Sequence, residues 1–249
     1  MSGHSKWATT KRHKEAVDSK RGKLFSLIGK ELTIAVKLGG NDPEFNARLR
    51  TIIQKAKAAN MPADNIKKAI QKGSGDASGY TIEELLYEGY VAGGVGLVIE
   101  VTTDNKNRAA SDVRSTLTKC GGNLATPGAL MFNFQRKGQF FIDKKAIAED
   151  ALLELALNGG AEDVKTDDDE CYEVLCSVVD YYNLEEELRK AGITPQSSDL
   201  VYIPNTLVEI TDQETANKVM RTIEKLEDIE DVKNVFANFE LADNITVEE

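Results

Sequence analysis

The chain has 249 residues, of which 41% are hydrophobic and 29% are charged, and its formal net charge is −10. This length suits two or three domains, and no apolar run approaches the roughly 18 residues that a membrane-spanning helix needs. The composition therefore excludes a membrane-spanning protein and, with no hydrophobic leader segment after the basic start, predicts a cytoplasmic multidomain protein.

Charge is divided unevenly along the chain. Residues 1–79 contain 16 Lys and Arg against 7 Asp and Glu, whereas residues 80–249 contain 15 against 34. The average therefore hides a basic amino-terminal part with a net charge of +9 and an acidic remainder with a net charge of −19. Such an asymmetry indicates a polyanionic partner that meets one end of the protein.

The basic arm, residues 1–23, is rich in cations and poor in core-forming side chains. It contains both histidines and the only tryptophan of the chain. Lys and Arg neutralise phosphates with release of counterions, and an indole can stack on an exposed base. The arm is therefore predicted to bind nucleic acid, although a solubilising tail would have a similar composition. The candidate contact residues are Lys6, Trp7, Lys11, Arg12, Lys14, Lys20, Arg21 and Lys23.

Helical periodicity follows the arm. Apolar residues recur at Leu24, Ile28 and Leu32, and the pattern stops at Gly39-Gly40. A spacing of four residues places these side chains on one face of a helix. The sequence therefore predicts a first amphipathic helix up to the glycine pair.

Two more short helices are predicted before residue 80. In "NDPEF", Asp42 is the expected N-cap and Phe45 the first residue of the buried stripe. The next helix begins near Pro62, and the segment "GSGDASG" (73–79) has the composition of a flexible linker. Three amphipathic helices with short connections predict a bundle.

Strand patterns begin after Tyr80. The apolar runs "IEELLYEGY" and "VGLVIEVTT" are joined around Gly93-Gly94, which predicts a β-hairpin. The segment "DNKNRAASDVRSTLTKCGG" then predicts a helix capped by Asp104 or Asn105. A further strand is predicted over residues 129–135.

The fold class predicted from these patterns is α+β. Residues 136–203 follow the order strand, helix, strand, strand, helix, strand, which is the split βαβ, ferredoxin-like plan. The tail, residues 204–249, supplies too few elements for a core of its own. The predicted domains are therefore an arm with a three-helix bundle (1–79), an α/β domain made of 80–135 and 204–249, and an acidic ferredoxin-like domain (136–203) inserted into it. A separate small tail domain is the alternative.

No catalytic constellation can be assembled from the sequence. The two histidines lie in the basic arm, where an acid–base group would not be held within reach of a substrate. Cys171 and Cys176 have no nearby histidine, which favours buried thiols over a zinc site. We therefore predict no enzyme activity, no metal, no cofactor and no small-molecule substrate.

A second candidate phosphate site is the loop "TDNKNR" (103–108). Asn105, Lys106 and Arg108 lie at a predicted helix N-terminus, where backbone N–H groups and cationic side chains can hold a phosphate. An ordinary capped turn has the same spacing, so both interpretations stay open.

Several motifs occur in the order found in a known family. They are "GHSKW", "KRGKLF", "AKAANMPADNIKKAIQKGSG", "YEGY", "TTDNKNRAASDVR", "KCGGNLATPGAL" and "VFANFE". On these motifs the sequence resembles the YebC/PmpR family, which includes bacterial probable transcriptional regulatory proteins and the mitochondrial translational activator of cytochrome c oxidase subunit one. The resemblance covers nearly the whole chain. It implies an N-terminal helical bundle and two α/β domains, one inserted in the other, without catalysis or metal.

The resemblance also implies a regulator of gene expression that contacts nucleic acid through the basic arm and the loop from Asp104 to Arg108. One hypothesis is a DNA-binding transcriptional regulator. The alternative is a ribosome-associated translation factor that contacts ribosomal RNA and eases translation of difficult sequences such as proline runs. The acidic remainder disfavours wrapping a long duplex, which mildly favours the ribosome. The sequence leaves the target and the oligomeric state open.

Overall fold

The computed structural model describes residues 21–75 and 81–246. Within these residues it contains seven α-helices and ten β-strands, and the strands form three sheets. Helices come first and sheets follow, so the predicted α+β fold class is confirmed. None of the helices in the described ranges is both long and apolar enough to cross a membrane.

The chain forms two compact units. The inserted unit is Phe132–Asn205, and the host unit consists of the described residues before and after it. The three-domain bounds predicted from the sequence stay a prediction. The elements in chain order are α1 (Arg21–Gly39), α2 (Ala47–Ala58), α3 (Ala63–Ser74), β1 (Glu83–Tyr90), β2 (Gly96–Thr103), α4 (Lys106–Lys119), β3 (Asn123–Leu124), β4 (Phe134–Asp143), α5 (Glu149–Asn158), β5 (Ala161–Lys165), β6 (Cys171–Cys176), α6 (Tyr181–Lys190), β7 (Ser197–Pro204), β8 (Val208–Ile210), α7 (Gln213–Glu227), β9 (Val232–Ala237) and β10 (Phe239–Leu241).

Helices α1 to α3 form the predicted bundle around a core that includes Leu32, Leu49 and Ala56, each fully buried. Helix α2 ends in a turn in which Asn60 adopts a positive φ of 57°. The N–H of Met61 then reaches back to the carbonyl of Ala56 at 2.9 Å. This is a Schellman-type ending, in which asparagine replaces the more common glycine.

The start of α2 differs from the sequence prediction. The N-cap is Asn46 rather than Asp42, and its side chain accepts a hydrogen bond from a backbone N–H in the first turn at 3.0 Å. Its amide nitrogen donates to the carbonyls of Ala35 and Gly40, each at 2.8 Å. The chain is therefore still in a turn at Phe45, whose side chain is 89% exposed instead of buried.

The main sheet of the host unit has the order β3-β1-β2-β9. Strands β1 and β2 form the predicted hairpin, and the turn between them uses Gly93 and Gly94 at φ values of 71° and 75°. Strand β9 pairs antiparallel with β2, so the carboxyl-terminal part of the chain completes the sheet. Helices α4 and α7 bury residues such as Leu117 and Leu226 in the core of this unit. Strands β8 and β10 form a separate parallel pair.

The inserted unit follows the order β4-α5-β5-β6-α6-β7. Its antiparallel sheet has the order β5-β6-β4-β7, which is the ferredoxin-like plan that the sequence predicts. Its core contains the fully buried residues Phe140, Leu152 and Leu184. The two ends of the unit are tied together, because the N–H of Asn205 donates to the carbonyl of Asn133 at 2.7 Å.

The predicted strand over residues 129–135 is wrong. Residues 131–133 form a short 3₁₀ turn, and β4 starts only at Phe134. The backbone N–H groups of Leu130 and Met131 donate to the buried carboxylate of Glu88, at 2.5 and 3.2 Å. Those N–H groups are therefore not available for pairing with a neighbouring strand.

We predict that Leu184→Ala destabilises the inserted unit. The substitution leaves a cavity in a fully buried site, and the free energy of unfolding is expected to fall by about 2–5 kcal/mol. The control is Leu157→Ala, at a position that is 75% exposed, which should change it by less than about 0.5 kcal/mol. Urea unfolding followed by circular dichroism measures both. Equal losses in the two variants would contradict the packing described above.

Candidate nucleic-acid interface

The basic arm is only partly covered by the structure. Lys6, Trp7, Lys11, Arg12, Lys14 and Lys20 lie outside the described residues. Arg21 and Lys23 lie in the first turn of α1. The guanidinium of Arg21 is exposed and sits 5.8 Å from the ring centroid of Phe25. Lys23 donates to the carbonyl of Glu227 at the end of α7, where the helix dipole favours a cation.

The helical bundle that follows the arm also carries an excess of cations. Residues 21–75 contain eleven Lys and Arg against four Asp and Glu. Four exposed lysines, called here the bundle lysines, form no ion pair with any residue that the structure describes. They are Lys37, Lys57, Lys67 and Lys68.

The sequence analysis did not select the bundle lysines as contact residues. Lys67 and Lys68 follow the buried Ile66 and lie on the exposed side of α3. Two signals could have identified them: the local charge excess and the position of these lysines between apolar residues at helical spacing.

The loop of residues 103–108 forms a capped helix start. The side chain of Asn105 accepts the N–H of Arg108 at 3.1 Å, and the hydroxyl of Thr103 accepts the N–H of Asn105 at 3.0 Å. Lys106 pairs with Glu83 of β1 at 2.6 Å. The structure thus brings Asn105, Lys106 and Arg108 together at the N-terminus of α4, as predicted, but Lys106 already has a carboxylate partner.

Arg108 belongs to an ion cluster around the buried carboxylate of Asp231. Its guanidinium donates to Asp231 at 2.7 Å and to Asp104 at 2.8 Å. The other oxygen of Asp231 accepts Lys30 of α1 at 2.6 Å, and the hydroxyl of Thr103 donates to Asp231 at 3.0 Å. The side chain of Asp231 is only 2% exposed. In this structure Arg108 therefore joins α4 to the turn before β9 and is engaged by two carboxylates.

The ion cluster sets the pKa of Asp231. Burial by itself acts to raise that pKa, but the hydrogen bonds from Lys30 and Arg108 outweigh it and lower the pKa below the ordinary value of 3.8. The carboxylate is therefore ionised at neutral pH, and its charge is matched by two cations.

Two further ion pairs hold the bundle against the sheet. Lys233 of β9 pairs with Glu31 of α1, and Arg48 of α2 pairs with Glu84 of β1. Burial acts to lower the pKa of Lys233, but Glu31 and Glu100 raise it overall. Some charged residues of the bundle thus form ion pairs with the sheet, while the bundle lysines are exposed on the surface.

The cysteines of the inserted unit are buried thiols. Cys171 and Cys176 are both reduced and buried. Burial, with smaller contributions from Asp180 and Glu162, raises the pKa of Cys176 to about 11. A thiol with so high a pKa stays protonated and is a poor nucleophile at neutral pH. Within the described ranges, no group of three or more His, Cys, Asp or Glu is arranged to hold a metal ion.

Comparison with known proteins gives matches along nearly the whole chain. The model of the TACO1/YebC protein N-terminal domain matches residues 5–76, and that of the TACO1/YebC second and third domain matches residues 82–239. A probable transcriptional regulatory protein of Opitutus terrae is 45% identical over 98% of both chains, and one of Leptospira biflexa is 48% identical over the full length of both. The crystal structure of the conserved hypothetical protein Aq1575 from Aquifex aeolicus is 43% identical, with a TM-score of 0.83 over 93% of this chain and 95% of that one.

We predict that Asp231→Asn destabilises the host unit. The variant leaves Lys30 and Arg108 without their shared charge partner, and breaking a buried ion pair costs about 3 kcal/mol of unfolding free energy. The control Asp243→Asn changes an exposed carboxylate and should have little effect. Chemical denaturation at pH 7 measures the difference between the two.

The same variant should also reveal a pH dependence. Because the pKa of Asp231 is lowered in the folded state, its stabilising effect is full above the ordinary pKa of 3.8 and is lost as the pH falls from there through the lowered value. The stability gap between the natural chain and Asp231→Asn should therefore be constant above about pH 5 and shrink below pH 3.8. A gap that widens as the pH falls would contradict this assignment.

Proposed function

This chain belongs to the TACO1/YebC family, and from that premise we propose that it is a cytoplasmic, nucleic-acid-binding regulator of gene expression without enzymatic activity. Its contact surface is the basic arm together with the bundle lysines, and its target is DNA. Relatives that match it over the full length are named probable transcriptional regulatory proteins, which supports this choice.

The observation that carries the proposal is the segregation of charge. The bundle lysines have no carboxylate partner among the described residues, and they lie on the segment that follows the equally cationic arm. Ammonium groups on a surface bind phosphate backbones mainly by releasing condensed counterions. Such contacts fix position and affinity without reading sequence.

A second candidate function is supported by the acidic remainder of the chain. Residues 80–249 have a net charge of −19, and this charge is repelled by phosphates that lie beyond the basic end. A large structured partner that is touched only by the arm and bundle avoids that repulsion. This favours ribosomal RNA as the alternative target, and with it a role in translation.

We predict that neutralising the arm weakens nucleic-acid binding and reduces its salt dependence. The triple variant Lys11→Gln, Arg12→Gln, Lys14→Gln removes three cations. For duplex DNA, the slope of log K against log salt should become shallower by about 0.9 for each lost phosphate contact. Fluorescence anisotropy with a labelled duplex over a salt series measures this slope.

The matched control removes three exposed lysines from outside the arm and bundle, through Lys119→Gln, Lys145→Gln and Lys225→Gln. It has the same change in net charge, so an equal loss of affinity in the control would show a general charge effect rather than a binding surface. An unchanged salt slope in the arm variant would contradict direct phosphate contact there.

A separate variant tests the folded part of the surface. We predict that a second triple variant also binds the same duplex more weakly and with a shallower salt slope. It combines Lys57→Gln, Lys67→Gln and Lys68→Gln, at lysines that are exposed and lack carboxylate partners in the described part of the chain. Wild-type affinity in this variant would restrict the contact surface to the arm.

Sedimentation of cell lysate on a density gradient separates the two targets. Ribosome association predicts co-migration with ribosomes that ribonuclease abolishes and that the triple arm variant lacks. A protein that stays at the top of the gradient, and binds promoter DNA with a steep salt dependence, would support transcription instead.

A further inference from the structure

On one side, strand β1 is only partly paired with the other strands that the structure describes. It pairs with β2 over its whole length, Glu83–Tyr90, but on the other side it pairs with β3 only at Gly89 and Tyr90. One more contact extends this pairing, in which the N–H of Ala125 donates to the carbonyl of Glu88 at 2.8 Å. No described strand lies beside the first part of β1 on that side.

The direction of the unpaired backbone groups follows from this register. In an antiparallel ladder the N–H and C=O of one residue point to the same side, and the side alternates from residue to residue. Because the carbonyl of Glu88 points toward β3, the N–H and C=O of Leu86 and Glu84 point to the same, open side. Leu85 and Tyr87 point their backbone groups toward β2.

A buried carboxylate explains why β3 is so short. Glu88 is only 5% exposed, and its carboxylate accepts the N–H groups of Gly128 and Leu130, each at 2.5 Å. These bonds draw the chain after Ala125 away from β1. Residues 125–131 therefore form no backbone pairing with the part of β1 that precedes Glu88.

A groove of about 410 Å³ lies beside this edge. Its lining includes the apolar groups of Leu86, Leu124 and Pro127, together with Tyr87 and with Arg114 of α4. Leu86 is 40% exposed although it is a large hydrophobic side chain. The groove thus combines apolar walls, a cation and a strand edge.

The charges that would protect such an edge are neutralised. Acidic and basic side chains on an edge strand normally discourage pairing with another chain. Here Glu83 is paired with Lys106 and Glu84 is paired with Arg48. Arg114, in contrast, forms no ion pair with residues 21–75 or 81–246. Glu88 also lines the groove, but its carboxylate is buried and is occupied by backbone N–H groups. The exposed charge on the groove lining is that of Arg114, which is positive.

We propose that the open edge of β1 binds an extended acidic peptide segment of a partner protein by β-augmentation. The segment pairs with the backbone of Glu84 and Leu86, places an apolar side chain in the groove, and brings a carboxylate to Arg114. Alternating backbone donors and acceptors complement a peptide, and the flanking pocket selects alternate side chains. None of the bundle lysines lines this groove, so the proposal does not depend on nucleic-acid binding.

Amide hydrogen exchange on the full-length chain tests the pairing directly. The probe is an acetylated octapeptide of alternating valine and glutamate, added to isotope-labelled protein. Exchange at the amides of Leu86 and Glu84 should be fast in the free protein and should slow at least tenfold with peptide. The amides of Leu85 and Tyr87, which already pair with β2, should be slow in both states.

Matched variants test the chemistry of the contact. Arg114→Glu should lower the affinity for the acidic peptide at least tenfold. The control Lys119→Glu makes the same charge change at an exposed position on the same helix and should leave the affinity unchanged. An octapeptide of alternating valine and lysine should bind at least tenfold more weakly. The acidic peptide should also lose at least tenfold when its backbone nitrogens are methylated, because the donors for the strand edge are removed.

Three outcomes would overturn the proposal. The first is unchanged exchange at Leu86 on adding the acidic peptide. The second is slow exchange at Leu86 in the free protein that speeds up on dilution, which would show that a second copy covers the edge. The third is displacement of the peptide by an oligonucleotide in the natural chain and equally in Arg114→Glu, which would assign the groove to another ligand class.

Discussion

The host unit depends on one buried carboxylate. Asp231 is reached by Lys30 from α1 and by Arg108 from α4, which lie 201 and 123 residues away in the sequence. A buried charge without partners is strongly destabilising, so Lys30 and Arg108 must come together with Asp231 for this carboxylate to be buried. The bundle, the helix after the hairpin and the returning carboxyl-terminal segment thus share this carboxylate as a common ion-pair partner.

The sequence predicts local features well and long-range partners poorly. The hairpin turn at Gly93-Gly94, a helix cap at Asp104 or Asn105 and the element order of the inserted unit are all predicted from local patterns. The structure confirms the turn and the element order, and it places the cap at Asn105. The partner of Arg108 is not encoded locally, so a loop that resembles a phosphate site cannot be separated from a buried ion pair by its spacing. The prediction that Phe45 is buried is wrong for a related reason. The helix begins after Asn46, whose side chain also donates hydrogen bonds to carbonyls of the preceding helix and loop, and these partners are not visible in the local pattern.

Cations of the folded amino-terminal part include two contrasting kinds. Lys30 and Arg48 pair with carboxylates of the sheet, while the bundle lysines have no such partner within the described ranges. Composition counts both kinds together, and only the structure separates structural charges from surface charges. The exposed lysines that remain without a carboxylate partner among the described residues are the cations that a polyanion can contact. The apolar groove beside β1 suits a partner of different chemistry.

The hydrogen bond between Asn133 and Asn205 has a consequence for how the chain folds. It joins the beginning and the end of the inserted unit. Once this unit has folded, the two ends of the segment between Asn133 and Asn205 are therefore held close together. The entropy lost on bringing distant strands such as β2 and β9 together grows with the length of the flexible loop between them. Holding these two ends together therefore shortens the effective loop between β2 and β9 and lowers the entropy cost of pairing them.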